Sequence, residues 1–198
     1  MKIGVLALQG AVQEHLHLLQ KLGVEAITVK RAEQLEDLDG LILPGGESTT
    51  MGKLLKKYDL IESLYQMHEQ GKPLFGTCAG MILLAKEIEG QTESHLGLMD
   101  VHVKRNAFGR QIASFEANLV IKEVAEDFPA VFIRAPYIAS VSPSVDILAE
   151  VDGKVVMARQ GPLLASAFHP ELTDDVRVHQ YFVKMVQESM AKPSRVRV

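Results

Sequence analysis

The sequence predicts an α/β fold, a three-layer sandwich of helices on a central, mostly parallel sheet, with extra antiparallel strands in the second half. Three observations carry that expectation. In the first half, short continuous apolar runs alternate with amphipathic helical stretches, the pattern of parallel strands covered on both faces. In the second half, strand-like runs follow one another, several with alternating polarity. There "EVDGKVV" places an Asp-Gly pair between two apolar runs, the strongest short hairpin signal.

Taken in order, "IGVLAL" reads as a buried first strand. "AVQEHLHLLQKLG" reads as a helix with Val12, Leu16, Leu19 and Leu22 on one face and Gly23 as its stop. "VEAITVK" is a second strand and "RAEQLEDLDG" a short helix or turn. "LILP" is a third strand that runs into "GGESTT" and a helical stretch, "MGKLLKKYDLIESLYQMHEQG". "PLFG" is a fourth strand, and "AGMILLAKEIEG" a helix that starts just after the only cysteine. Beyond it, "LGLMDVHVKR", "ASFEANLVIKE", "AVFIRAP", "DILAEV", "KVVMARQ" and "LLASAFH" are strand-like. The last element, "TDDVRVHQYFVKMVQES", reads as a helix capped by Thr173, with Asp174 and Asp175 in its first turn.

No repeat or linker interrupts this order, so the 198 residues are expected to form one domain, with 192–198 as a flexible tail. A chain of that length buries roughly two-thirds of its unfolded surface and needs neither disulfide nor metal to hold a core. A net charge of −4 argues against nucleic-acid binding, which needs a clustered basic face. The opening "MKIGVLALQG" is too short for a signal segment or a membrane span, and a single cysteine implies no disulfide. The expected location is the cytoplasm.

That cysteine, Cys78, lies in "GTCAG", the thiol counterpart of a nucleophile elbow. Glycines on both flanks allow a strand to turn abruptly into a helix without clashes. The turn lifts the sulfur to a helix N-terminus, where free N–H groups and the helix dipole favour thiolate. The Ala79 N–H then points to where an oxyanion would form. Taken by itself, the motif also fits a buried structural cysteine.

A cysteine nucleophile needs a base. Of seven histidines, His15, His17, His68, His95, His102 and His179 read as solvated or packing residues. His169 differs. It ends an apolar run and precedes Pro170 and Glu171, and in an extended segment residues 169 and 171 project to one side, about 6–7 Å apart. "HPE" at a strand terminus, in a chain that also carries the elbow, makes His169 the expected base and Glu171 its orienter.

The third strand ends in "PGGES". A glycine pair lets backbone N–H groups face an open space, so Gly45 or Gly46 could supply a second oxyanion donor beside Ala79. The same residues fit a turn that feeds a helix capped by Glu47 or Ser48. No phosphate-loop pattern is present.

"PGGES", "GTCAG" and "HPE", in this order, resemble the class I (triad) glutamine amidotransferases along nearly the whole chain. "GVLALQGAVQEH", "PGGEST", "KRNAFGRQ" from Lys104 and "FIRAP" from Phe132 are similar to the glutaminase subunits of pyridoxal 5′-phosphate synthase. The resemblance implies Cys78 as nucleophile with His169 and Glu171. It also implies glutamine lying against Gly46, Glu47 and Ser48, with Arg105, Ile133 and Arg134 in contact. Only the resemblance lifts the two arginines above ordinary surface residues. Gln9 and Gly10 are expected to border the site.

The implied reaction is hydrolysis of glutamine to glutamate and ammonia through a thioester, with no metal or cofactor. The ammonia would pass to a separate barrel-type synthase subunit, with weak activity alone and strong activation on binding. A flip of the Gly45–Gly46 peptide is one route to that activation. Other readings are a cysteine hydrolase of the PfpI type, which usually has His directly after Cys, a catalytically silent subunit, and a thiol redox sensor.

Overall fold

The computed structural model describes residues 1–105 and 114–192. Five parallel strands form its centre, in the order β2 (Glu25–Val29), β1 (Lys2–Leu6), β3 (Gly40–Leu43), β4 (Leu74–Thr77) and β12 (Leu163–Ser166). The residues of β1, β3, β4 and β12 are almost entirely buried, as continuous apolar strands between two helical layers require, while β2 at the sheet edge is mostly half-buried. Beyond β12 the sheet turns antiparallel through β11 (Lys154–Gln160), β9 (Tyr137–Val141) and β6 (Met99–Lys104). It ends on β5 (Ala85–Ile88), which is parallel to β6, while β10 (Asp146–Val151) also pairs with β11. A separate antiparallel pair joins β7 (Ser114–Ile121) to β8 (Ala125–Ile133).

Side-chain alternation along β4 assigns the helices to their faces. Phe75 packs on Phe182 and His179 of α5 (Arg177–Ala191), and Thr77 meets His15 of α1 (Val12–Lys21), so α1 and α5 share one face. Gly76 points the other way, onto the backbone of Gly80 in α4 (Ala79–Leu84). The helices α2 (Ser48–Lys57) and α3 (Leu60–Glu69) lie on that second face with α4.

Four expectations are corrected. The long helical stretch after "GGESTT" is two helices, broken where Asp59 turns left-handed at φ 53°. The helix after Cys78 lasts only six residues, because "AKEI" leaves it to pair with β6 as β5. Residues 137–141, not anticipated as a strand, form β9 between β6 and β11. The last helix starts at Arg177, and Thr173 does not cap it. Asp175 accepts from the Arg177 backbone N–H at 3.0 Å and also grips its guanidinium. The Asp-Gly hairpin is present, with Val151 opposite Lys154 and both turn residues, Asp152 and Gly153, at positive φ.

No helix among the described residues is long and apolar enough to cross a membrane. Most of the "KRNAFGRQ" segment (106–111) and the expected tail from 193 onward lie outside the described residues.

Candidate active site

The loops that follow β1, β3, β4 and β12 leave the carboxyl edge of the parallel strands together, where open α/β sheets build their sites. Cys78 stands at the end of β4 with φ 51° and ψ −106°, a conformation that costs a non-glycine residue of order 1–3 kcal/mol. Its surroundings hold it there: its N–H donates to the Ser166 carbonyl at 2.8 Å, and α4 begins at the next residue. The glycines of the motif work as expected. A Cβ on Gly76 would strike the backbone of Gly80, and one on Gly80 would strike the Leu43 carbonyl. Cys78 as a residue is 8% exposed.

His169 arrives from β12, but not as a strand terminus. The strand ends at Ser166, and Pro170–Leu172 form a single 3-10 turn with His169 as its N-cap. The imidazole and the carboxylate therefore meet across a turn, not along an extended segment. His169 Nδ1 and Glu171 Oε1 are 2.7 Å apart. Glu171 is 4% exposed, and the His169 backbone N–H donates to the Val131 carbonyl at 2.8 Å.

With Nδ1 committed to Glu171, Nε2 is the ring nitrogen left for the sulfur, and Cys78 is close enough to the ring to raise its pKa. Burial disfavours a charged imidazole here. The hydrogen bonds to Cys78 and Glu171 and the charges of both outweigh it, raising the His169 pKa to about 10. The ring is charged at neutral pH.

The "PGGES" loop lies over this pair. A Cβ on Gly45 would sit 2.6 Å from Cε1 of His169 and 3.6 Å from Cβ of Cys78. Gln9 pins the loop, its Oε1 accepting from the Glu47 N–H at 2.6 Å, while Gly10 packs against the Gly45 carbonyl. Glu47 is the N-cap of α2. Its carboxylate accepts from the Thr49 and Thr50 N–H groups at 3.0 and 2.7 Å and from the Thr50 hydroxyl at 2.6 Å. The Thr50 hydroxyl bond is the largest influence on its pKa, which is lowered to about 2. Ser48 is buried beside it.

The Ile133 carbonyl, where β8 ends, is 4.0 Å from the Cys78 sulfur. Arg134 follows, exposed and at φ 43°. Arg105 reaches Thr49 at 3.5 Å and is also exposed. Of the residues expected to hold glutamine, Ile133 meets the Cys78 sulfur and Gly46, Glu47 and Ser48 continue the loop from Gly45 into α2, while Arg105 reaches the first turn of α2 and Arg134 follows Ile133.

Two residues read as ordinary packing or solvated histidines are buried beside the pair. His15 and His179 are both 0% exposed and face each other, Nδ1 to Nε2, at 2.8 Å, and His15 Nε2 lies 3.6 Å from Glu171 Oε2. The signal was in the periodicity. His15 shares a helical stripe with Leu18, Leu19 and Leu22, and His179 with Phe182, Val183 and Val186, so each stands in line with the core. No group of side chains among the described residues could hold a metal ion.

Residues 5–188 match the SNO glutamine amidotransferase family. The chain belongs to that family. Two relatives are the pyridoxal 5′-phosphate synthase subunits PdxT of a Geobacillus strain and of Brevibacillus brevis. The first is 61% identical over 96% of this chain and all of its own, the second 58% identical over 95% and 98%. A solved glutamine amidotransferase, 48% identical, superposes with a TM-score of 0.89 over 93% of this chain and 98% of its own. As a glutamine amidotransferase, the chain has its thiol, imidazole and carboxylate beyond the carboxyl edge of the parallel strands, in a fold it shares with a solved member.

Proposed function

We propose that this amidotransferase is the glutaminase subunit of a pyridoxal 5′-phosphate synthase, with Cys78, His169 and Glu171 as its catalytic triad. The observation that carries the reading is the Cys78–His169–Glu171 chain of contacts, in a protein 61% identical over nearly its full length to a PdxT subunit.

The sulfur attacks the side-chain amide carbon of glutamine as thiolate. The carbonyl electrons move onto oxygen, which the Ala79 N–H and one N–H of the Gly45–Gly46 loop stabilise. Each such donor is worth about 3–4 kcal/mol in acyl transfer. The first N–H groups of a helix have no partner within it, so the start of α4 has this donor available. Charged His169 gives its Nε2 proton to the leaving nitrogen. The C–N bond breaks, ammonia departs, and a γ-glutamyl thioester remains. The ring, now neutral, takes a proton from water as that water attacks the thioester. Collapse expels the thiolate and frees glutamate, with the ring charged again. Glu171 holds the ring and offsets its charge throughout. Substrate glutamine lies against Gly46, Glu47 and Ser48, with Arg105, Ile133 and Arg134 in contact. Either arginine fork suits its α-carboxylate.

Free ammonia would protonate and be lost at neutral pH, so the partner must receive it directly. We assign that partner to the barrel-type synthase, and the pair to the cytoplasm, which suits an enzyme with one reactive thiol. The test is ammonia release with and without the synthase subunit. The wild type is expected to be weak alone and strongly activated by the partner, and Cys78→Ala to be inactive in both settings. Equal turnover with and without the partner would overturn the coupling, and ammonia release by Cys78→Ala would overturn the triad.

A further inference from the structure

We propose that His15 is a positioning residue for Glu171, held as its Nε2–H tautomer by His179, so that the carboxylate orienting His169 is itself oriented from behind. The inference rests on the triad reading above.

One oxygen of Glu171 is committed to His169. The other, Oε2, is buried and has no hydrogen bond of ordinary length, and His15 Nε2 stands 3.6 Å from it. Leaving a carboxylate oxygen dry is costly, and such contacts are often long before substrate binds and tighten afterwards. A carboxylate only accepts, so the nitrogen facing it must carry a proton. Nδ1 of His15 is then bare and accepts from His179 Nε2–H at 2.8 Å, leaving His179 Nδ1 as a buried lone pair without a partner. The reverse assignment fails twice. It turns a lone pair of His15 toward a carboxylate and buries an unpaired N–H on His179. Thr77 Oγ1, 3.4 Å from His15 Nε2, fits either arrangement.

Both rings are neutral. Burial first, then the neighbouring His179 and His169, depress the His15 pKa, and burial alone takes His179 to about 3. Neutrality matters for the reaction. A charged His15 would draw on the same carboxylate charge that keeps His169 protonated. A neutral donor fixes the geometry of Glu171 and leaves its charge to His169. The groups facing His15 are Thr77 from β4, His179 from α5, and His169 and Glu171 from the 3-10 turn.

The experiment compares His15→Leu and His15→Gln with wild type in the synthase-activated complex. Leu removes the donor, and Gln returns an N–H near the position of Nε2. For His15→Leu we expect kcat to fall at least tenfold with KM for glutamine changed less than twofold. His15→Gln should recover kcat to within threefold. Unchanged kcat in folded His15→Leu would overturn the proposal, as would a Gln variant no better than Leu. Nitrogen-15 NMR of the wild-type chain gives an answer that needs no variant: a proton on Nε2 of His15 supports the assignment, and one on Nδ1 overturns it. Cys78→Ala run alongside separates the levels. If it stays active the triad itself fails; if it is dead while His15→Leu is normal, only this inference fails.

Discussion

At the scale of single residues, the site is built from positions where a side chain must be absent or a backbone must be strained. Cys78 takes a φ of 51°, and its cost is met by the Ser166 hydrogen bond and the start of α4. Gly45 has no left-handed φ, so its requirement is purely steric, since any Cβ enters the space of the His169 ring. Gly45→Ala should therefore push the imidazole aside while the core stays intact. A misplacement on the order of 1 Å costs about 10²-fold in rate, so kcat in the activated complex should fall by about that factor, with thermal stability little changed. A fully active Gly45→Ala would mean that the loop stands away from the ring during turnover.

At the scale of elements, helix and strand identities came through where local chemistry was decisive and slipped where pairing was. Asp-Gly at 152–153 made the β10–β11 hairpin readable, because few other residues accept two successive positive φ values. Gly153 is at φ 72° with open space where a Cβ would go, so Gly153→Ala isolates the backbone cost. That cost is about 1 kcal/mol, and the melting temperature should drop by about 2–4 °C with activity per folded molecule unchanged. An unchanged melting temperature would show that the turn relaxes. The early exit of "AKEI" from α4 had no local cue. Those residues suit a helix, and only the open edge of β6 makes them a strand. The same holds for the two helices that replace one at Asp59, whose break is set by where α2 and α3 pack.

At the scale of the whole molecule, three histidines from three elements set a pH signature for stability, His15 and His169 facing one carboxylate and His179 backing His15. His15 and His179 are depressed, so their neutral burial contributes stability that is present above the unfolded value near 6.5 and lost as pH falls below it. Each takes up a proton only on unfolding in that range, giving a slope of about 1.4 kcal/mol per pH unit per ring. His169 is raised to about 10, so its contribution is full below 6.5 and fades as pH climbs toward 10. From these rings, stability should peak near pH 6.5 and decline on both sides. Denaturant melts at a series of pH values check this: a slope halved between pH 6.5 and 5 would show that one buried ring is already charged in the fold, and a plateau that both are.

Sequence alone determined the motifs and their order: a cysteine between two glycines, a His-Pro-Glu, a glycine pair after the third strand, and a buried parallel centre. These are local demands of backbone and side-chain chemistry, legible because only certain residues satisfy them. What the tertiary structure decided was the company those motifs keep. That His169 meets Glu171 across a turn, that β5 leaves its helix, and that His15 and His179 close in behind the carboxylate all depend on distant segments packing together. A histidine on an apolar stripe is the same letter whether it faces solvent or a buried acid. The difference lies in the sequence separation of 164 between His15 and His179, whose facing nitrogens folding brings to 2.8 Å.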